Sequence, residues 1–170
     1  MSTNKPEFFL IFCGLSLWSN ILLPQPLGND NEWPSTNLYI EGTQNCYYVK
    51  AIVAKTHAAR QRGFMDPAPS VGAIIFEWPE PAFRNFWMKG TSTPLALFRV
   101  DGSGIPQTFT KLEPFNLTDH IDPTNGGQWA VEIRRDWPTR VSLEKLFFSR
   151  FRWSTAQGNR NGNCLTLHEG

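Results

Sequence analysis

Proline and glycine limit the length of every regular element in this chain. The sequence of 170 residues contains 13 Pro and 13 Gly, and one or the other recurs every few positions. Proline interrupts helices and central strands, and glycine supplies the backbone conformations that tight turns need. This spacing favours short strands joined by turns. Because 41% of the residues are apolar, the chain can also bury a core.

Alternating polar and apolar residues, rich in β-branched and aromatic types, locate the strands. The pattern predicts seven or eight of them, at residues 37–41, 47–54, 71–78, 83–89, 95–100, 105–112, 129–133 and 143–148. Thr56 is a helix-capping residue and Gly63 a left-handed stop, so one short helix is predicted between them. No repeated strand–helix–strand pattern occurs. The sequence therefore predicts a mainly β domain over residues 36–153, closed as a small barrel or sandwich, with one or two short helices.

The N-terminal segment is apolar over residues 8–23 and reads FFLIFCGLSLWSNILL. As a helix it would measure about 24 Å, slightly less than a hydrocarbon core of about 30 Å. It fits an uncleaved membrane anchor, a cleaved signal peptide or a helix packed on a partner. We favour an anchor over residues 1–23, because Lys5 is the only base before the segment and no small-residue cleavage site follows it. The predicted membrane or partner contacts are Phe8, Phe9, Phe12, Trp18 and, in a linker over 24–35, Trp33.

Three blocks of the sequence resemble the family called domain of unknown function 192, or DUF192. They read THAARQRGFM at residues 56–65, GAIIFEWP at 72–79 and FWMKGTSTPLALFRVD at 86–101, followed by a late strand, AVEI, at 130–133. The third block is the most specific. The family has no established activity, so the resemblance implies a fold and an exported domain rather than a reaction.

The third block departs from the family pattern at two positions. Gly90 follows Lys89 where the family carries Asn, and Ala96 follows Pro-Leu where the family carries Asp. The resemblance places a polar site beside the Lys, so that site is expected to be incomplete here. A Lys stem can simply pack on an aromatic neighbour. The alternative is an anion-binding site formed by Lys89, Trp87 and Arg99.

The cysteines and histidines give no pattern of a metal centre. His57, His120 and His168 have no ligand spacing, and no nucleotide-binding or hydrolase motif occurs, so we expect no metal, cofactor or catalytic group. Cys13 lies in the apolar segment, which leaves Cys46 and Cys164 as a pair. In an oxidising compartment they would form a disulfide, and otherwise they are two separate thiols. Residues 154–170 are expected to form a flexible tail.

These observations favour a non-catalytic accessory subunit, anchored in a membrane and docked on a larger protein assembly, with its domain on the extracytoplasmic side. The net charge of +1 provides no general attraction for nucleic acid. Two alternatives remain: a periplasmic module that binds a small anionic or sugar ligand near Lys89, and an unrecognised hydrolase. A large exposed aromatic patch would favour the accessory subunit, and a closed pocket would favour the ligand-binding module.

Overall fold

A computed structural model describes residues 33–118, 120–121, 127–153 and 164–168 of the chain. The elements in chain order are β1 (Ser35–Glu41), β2 (Cys46–Ala54), α1 (His57–Arg62), β3 (Ala73–Glu77), β4 (Asn85–Phe86), β5 (Leu95–Val100), β6 (Pro106–Leu112), β7 (His120–Ile121), β8 (Trp129–Arg134), a 3₁₀ helix (Leu143–Phe148), β9 (Arg150–Trp153) and β10 (Leu165–Thr166). The prediction of a mainly β domain with one or two short helices is confirmed, and the helices number two in the described residues.

One sheet holds most of the strands, in the order β6-β5-β8-β3-β2-β1-β9, with β10 added beside β2. Its pairs are antiparallel except β2 with β3 and β2 with β10. The parallel pair needs a crossover, which α1 provides. The sheet curls into a half-barrel, and a hydrogen bond of 2.7 Å from the Phe151 amide to the Gly104 carbonyl ties edge strand β9 to the β5–β6 turn. β4 and β7 form a separate two-stranded ribbon.

Each face of the curled sheet carries its own apolar cluster, because successive side chains of a strand point to opposite faces. The first core lies on one face and is completed by the 3₁₀ helix and β9; it includes Leu38, Val53, Ile75, Ala96, Phe98, Val131 and Phe151. The second core lies on the other face beneath α1; it includes Trp33, Ile74, Phe76, Phe86, Leu95, Leu97 and Ala130. A sheet covered on both faces explains why its central strands are almost wholly apolar.

α1 begins and ends where the sequence predicts, after Thr56 and before Gly63. The Thr56 side chain accepts a hydrogen bond from the Ala59 amide at 3.1 Å, which caps the helix. Gly63 ends it with φ +48°, and its amide donates to the Ala59 carbonyl at 3.0 Å. The helix is only six residues long, so its position depends on Ala59, which packs into the second core.

Two predicted strands are corrected by the structure. Leu143–Phe148 is a 3₁₀ helix, because Leu143 and Leu146 are buried three residues apart, which matches its three residues per turn. The strand predicted over 83–89 is limited to Asn85–Phe86. It ends there because the Met88 amide donates instead to the Asn116 carbonyl and Gly90 turns the backbone at φ +63°.

The C-terminal segment 164–168 is packed on the domain, which corrects the flexible tail expected over 154–170; residues 154–163 lie outside the described part. Cys164 forms a disulfide with Cys46, with their Cα atoms 4.6 Å apart. β10 then pairs with β2, and Leu167 is fully buried in the first core. The disulfide and Leu167 together hold the end of the chain against the sheet.

Trp33 belongs to the second core and is 7% exposed. This position corrects its assignment to a docking surface, because an indole packed among core side chains cannot meet a partner. The other predicted contacts, Phe8, Phe9, Phe12 and Trp18, lie outside the described residues, as does the predicted anchor. Within the described ranges, no helix has the length and apolarity that a bilayer crossing requires.

Candidate functional site

An open cleft of about 490 Å³ lies on the second-core side of the sheet. α1 and the loop after it form one wall, and the end of β3 and the segment around β4 form the other. β8 and β5 supply the floor. The lining residues are His57, Arg60, Gln61, Arg62, Gly63, Phe64, Met65, Phe76, Trp78, Pro79, Arg84, Asn85, Phe86, Trp87, Thr91, Leu95 and Glu132.

Aromatic rings give the cleft an apolar wall of fixed geometry. Phe76 and Trp78 are stacked with their centroids 6.0 Å apart, and Phe86 meets both rings edge-on, at 5.6 and 6.1 Å. These are preferred arrangements for aromatic pairs. The wall can therefore receive a flat or apolar group with little rearrangement.

Three arginines lie over the Trp78 ring: the buried Arg99, at 5.9 Å from the ring centroid, and two that line the cleft. The Arg60 guanidinium is 5.6 Å from the ring centroid and that of Arg84 is 5.2 Å from it. Arg60 also donates to the carbonyls of Lys55 and Glu77, so its position is fixed. Burial, and then the positive charge of Arg84, lower the pKa of Arg60. Two like charges held close together favour an anion between or above them.

The arginines of the cleft also have spare donors. The Nε groups of Arg62 and Arg84 are buried and find no hydrogen-bond acceptor among the described residues. In the same part of the chain, no carboxylate lies within ion-pair distance of Arg60, Arg62 or Arg84. Buried donors without acceptors are uncommon in folded proteins. The cleft therefore offers positive charge and hydrogen-bond donors that a ligand can use.

Glu132 is the acidic residue of the cleft lining. It lies in the middle of β8 and is 4% exposed. A Cβ placed on Gly63 would be 3.8 Å from its Oε2, so the carboxyl lies beneath the turn that ends α1. Burial raises the pKa of the Glu132 carboxyl to about 8, and no hydrogen bond to a described residue opposes this. At neutral pH the group is uncharged and can donate a proton in a hydrogen bond.

The residues predicted to bind a ligand are not brought together. Trp87 is 45% exposed and lines the cleft. Lys89 is exposed and lies outside the lining. Arg99 is 1% exposed and lies under the aromatic wall, with its guanidinium 4.9 Å from the Phe86 centroid.

Sequence reasoning missed Arg60, Arg84 and Glu132 as site residues. A signal existed for Glu132, since it is an acidic residue between Val131 and Ile133 in an otherwise apolar strand. Nothing in the local sequence marks the two arginines, because Trp78 and the fold bring them together. Across the described ranges, no three His, Cys, Asp or Glu side chains are grouped as metal ligands would be.

The cleft lacks the arrangement expected of a hydrolase in the part of the chain that is described. Glu132 has no titratable partner at hydrogen-bond distance there, and the lining contains no Ser or Cys beside a base. The cleft combines a flat apolar wall, positively charged arginines and one buried acid.

The fold is similar to two solved structures. A protein of unknown function from Novosphingobium aromaticivorans aligns with a TM-score of 0.57 and 19% identity, over 69% of this chain and 83% of that one. A protein from Sinorhizobium meliloti, described as a "putative transcription regulator", aligns with a TM-score of 0.63 and 14% identity, over 73% of this chain and 97% of that one. At such identities the likeness shows the fold alone.

Sequence comparison gives the family. No curated protein matches the chain. A family model does match it over residues 39–145, which include α1, the aromatic wall and Glu132. The chain therefore belongs to DUF192, the family described as "Uncharacterized ACR".

Proposed function

We propose that the protein is a non-catalytic binding module for a small organic anion with a flat or apolar body. The observation that carries the proposal is the pair of cleft-lining arginines over Trp78, Arg60 and Arg84, with no carboxylate within ion-pair distance of them in the described part of the chain. Arginine combines a permanent charge with a planar set of donors, which suits carboxylate, sulfonate and phosphate groups.

The balance of charge in the cleft supports an anionic ligand. Arg60, Arg62 and Arg84 are positive, and Glu132 adds little negative charge at neutral pH because burial raises its pKa to about 8. The aromatic wall beside these charges would bind the ligand body by apolar burial. A cationic ligand would meet repulsion at the mouth, and a neutral sugar would leave the guanidinium groups without a counter-charge.

Three probes of one shape test this proposal: 4-isopropylbenzoate, 4-isopropylbenzyl alcohol and 4-isopropylbenzylamine. Isothermal titration calorimetry at neutral pH should show the benzoate binding most tightly and the amine least. Arg84→Gln should weaken benzoate binding about tenfold, as expected for the loss of a charged hydrogen bond. Lys89→Gln removes a nearby positive charge outside the lining and is the matched control, which should change binding little. Equal binding of the three probes, or equal effects of the two variants, would contradict the proposal.

An accessory role in a larger assembly is a second candidate. Phe115 and Leu117 are 60% and 71% exposed, and Phe115 has φ +56°, a conformation that is costly for a bulky residue. The segment is fixed beside the cleft, because the Phe115 amide donates to the Thr91 carbonyl at 3.0 Å. Apolar side chains held in solvent are typical of an interface. The apolar segment 8–23 would anchor such an assembly in a membrane.

Native electrophoresis of mild-detergent extracts distinguishes the two candidates. If the protein is an accessory subunit, the double variant Phe115→Ser and Leu117→Ser should migrate as a free protein while wild type migrates in a larger complex. Arg84→Gln should leave that complex intact. Wild type that migrates alone would exclude the accessory role under these conditions.

A further inference from the structure

Glu132 is a buried acid whose partner is absent from the described residues. A carboxyl that is 4% exposed and makes no hydrogen bond to a described residue loses most of the solvation that it had in water. The cost is avoidable, since Leu or Gln would fill a similar volume. The group also lines the cleft rather than the sealed interior of the second core. These facts point to a partner that enters through the cleft.

We propose that the ligand carries a neutral oxygen acceptor at its buried end, to which the Glu132 carboxyl donates a hydrogen bond. The proposal rests on the proposed function, in which the arginines hold the anionic group at the mouth. The ligand class is then a small anion with a carbonyl, ether or hydroxyl oxygen remote from its charged group. Glu132 would decide specificity for that second group.

The charged groups around Glu132 favour a neutral acceptor over an ammonium group. His57, Arg60 and Arg62 come from α1, and Arg84 comes from the segment before β4. Two further arginines lie on the adjacent strand β5 and on β8 itself: Arg99, and Arg134, which is ion-paired with Asp136. β3 contributes apolar side chains on this face, Ile74 and Phe76. A ligand cation would have to pass the arginines and then form a buried ion pair, for which desolvation is costly.

Three para-substituted benzoates test whether the buried end of the ligand is a neutral acceptor, an apolar group or a cation. 4-Acetylbenzoate carries a carbonyl acceptor, 4-isopropylbenzoate has nearly the same shape without it, and 4-(aminomethyl)benzoate carries a cation. By calorimetry at about pH 6.5, wild type should prefer the acetyl over the isopropyl compound about tenfold, the value for one satisfied buried donor. E132Q keeps an N–H donor and should keep the preference. E132L should bind both equally, and its unchanged affinity for the isopropyl compound would show that it is folded.

The same measurement at about pH 9 tests the donor directly. An ionised carboxylate cannot donate, so wild type should lose its preference for the acetyl compound, whereas E132Q should keep it because an amide does not ionise. E132Q also retains the other polar and charged side chains of the cleft, so a difference between the two proteins is due to position 132. Equal affinities for the acetyl and isopropyl compounds in wild type, or tighter binding of the aminomethyl compound, would overturn this inference. Failure of every benzoate to bind would overturn the proposed function instead.

Discussion

The stability of the protein should fall as pH rises through the neutral range, and Glu132 should be the cause. Burial raises the pKa of this carboxyl from its ordinary 4.5 to about 8. Between these values the folded protein retains the proton and the unfolded chain releases it. The folded state therefore binds more protons, and the free energy of unfolding decreases with pH. The stabilisation is complete below about pH 4.5 and is lost as pH reaches about 8.

The size of the effect follows from the shift. Each pH unit inside this window changes the free energy of unfolding by about 1.4 kcal/mol. Between about pH 5 and pH 7.5 the loss is about 3 kcal/mol. Glu132→Gln has no proton to lose and should show no such slope. His168, whose pKa is lowered by burial, is present in both proteins, so its contribution cancels in the difference.

Urea denaturation at half-unit pH steps measures this difference. The free energy of unfolding of E132Q minus that of wild type should rise steadily across the window, whatever its starting value. The m-values should stay equal, which shows that the unfolded states are comparable. Two parallel pH profiles, differing by a constant, would refute the argument, because they would mean that Glu132 titrates alike in both states.

Three further substitutions test the fold. Cys164→Ser opens a loop closed across 118 positions and should lower the free energy of unfolding by at most about 5 kcal/mol; an unchanged urea midpoint would deny the disulfide a stabilising role. Gly63→Ala places a Cβ 3.4 Å from Phe76 at a backbone φ of +48°. It should lower the free energy of unfolding, measured by urea denaturation, by about 1–2 kcal/mol. A stabilised protein would contradict that backbone conformation. Trp33→Ala should lower the free energy of unfolding by about 3 kcal/mol and remove the fluorescence of one buried indole. An unaltered thermal midpoint would place Trp33 outside the second core.

The sheet was predictable from the sequence because its strands carry strong periodic or β-branched patterns. β2, β5, β6 and β8 lie close to their predicted positions. The 3₁₀ helix at Leu143–Phe148 was not predictable, because an apolar run of six residues fits a strand or a helical turn equally well. β10 was missed for a different reason. Two residues have no periodicity, and they are held by the disulfide and by Leu167 rather than by local preference.

The cleft was harder to predict because its chemistry comes from distant parts of the chain. Arg60 lies on α1, Arg84 precedes β4, and Glu132 lies on β8. Sequence reasoning gave weight to neighbours of a specific motif, and so selected Lys89. Of that motif, Trp87 lines the cleft, whereas Lys89 is exposed and lies outside the lining. Only the pairing of the strands shows which polar residues share a face.

The first departure from the family pattern, Gly90, concerns backbone conformation. Its φ of +63° lies in the left-handed region, where Gly is unstrained and Asn is among the best tolerated of the other residues. The turn is fixed by a hydrogen bond of 2.8 Å from the Asp66 amide to the Gly90 carbonyl. An Asn in other members of the family can therefore serve the same turn. A Cβ at this position would lie 3.8 Å from the Cγ of Met65, which lines the cleft.

The second departure, Ala96, lies on the opposite face of the sheet from the cleft. It is fully buried in the first core, whereas its neighbours Leu95 and Leu97 point into the second core. An Asp at this position would bring a carboxylate among apolar side chains, so the choice of Ala concerns the packing of the first core. Neither departure touches Arg84 or Glu132. An incomplete motif around Lys89 is thus no argument against the proposed binding, because the groups proposed to bind a ligand lie elsewhere in the chain.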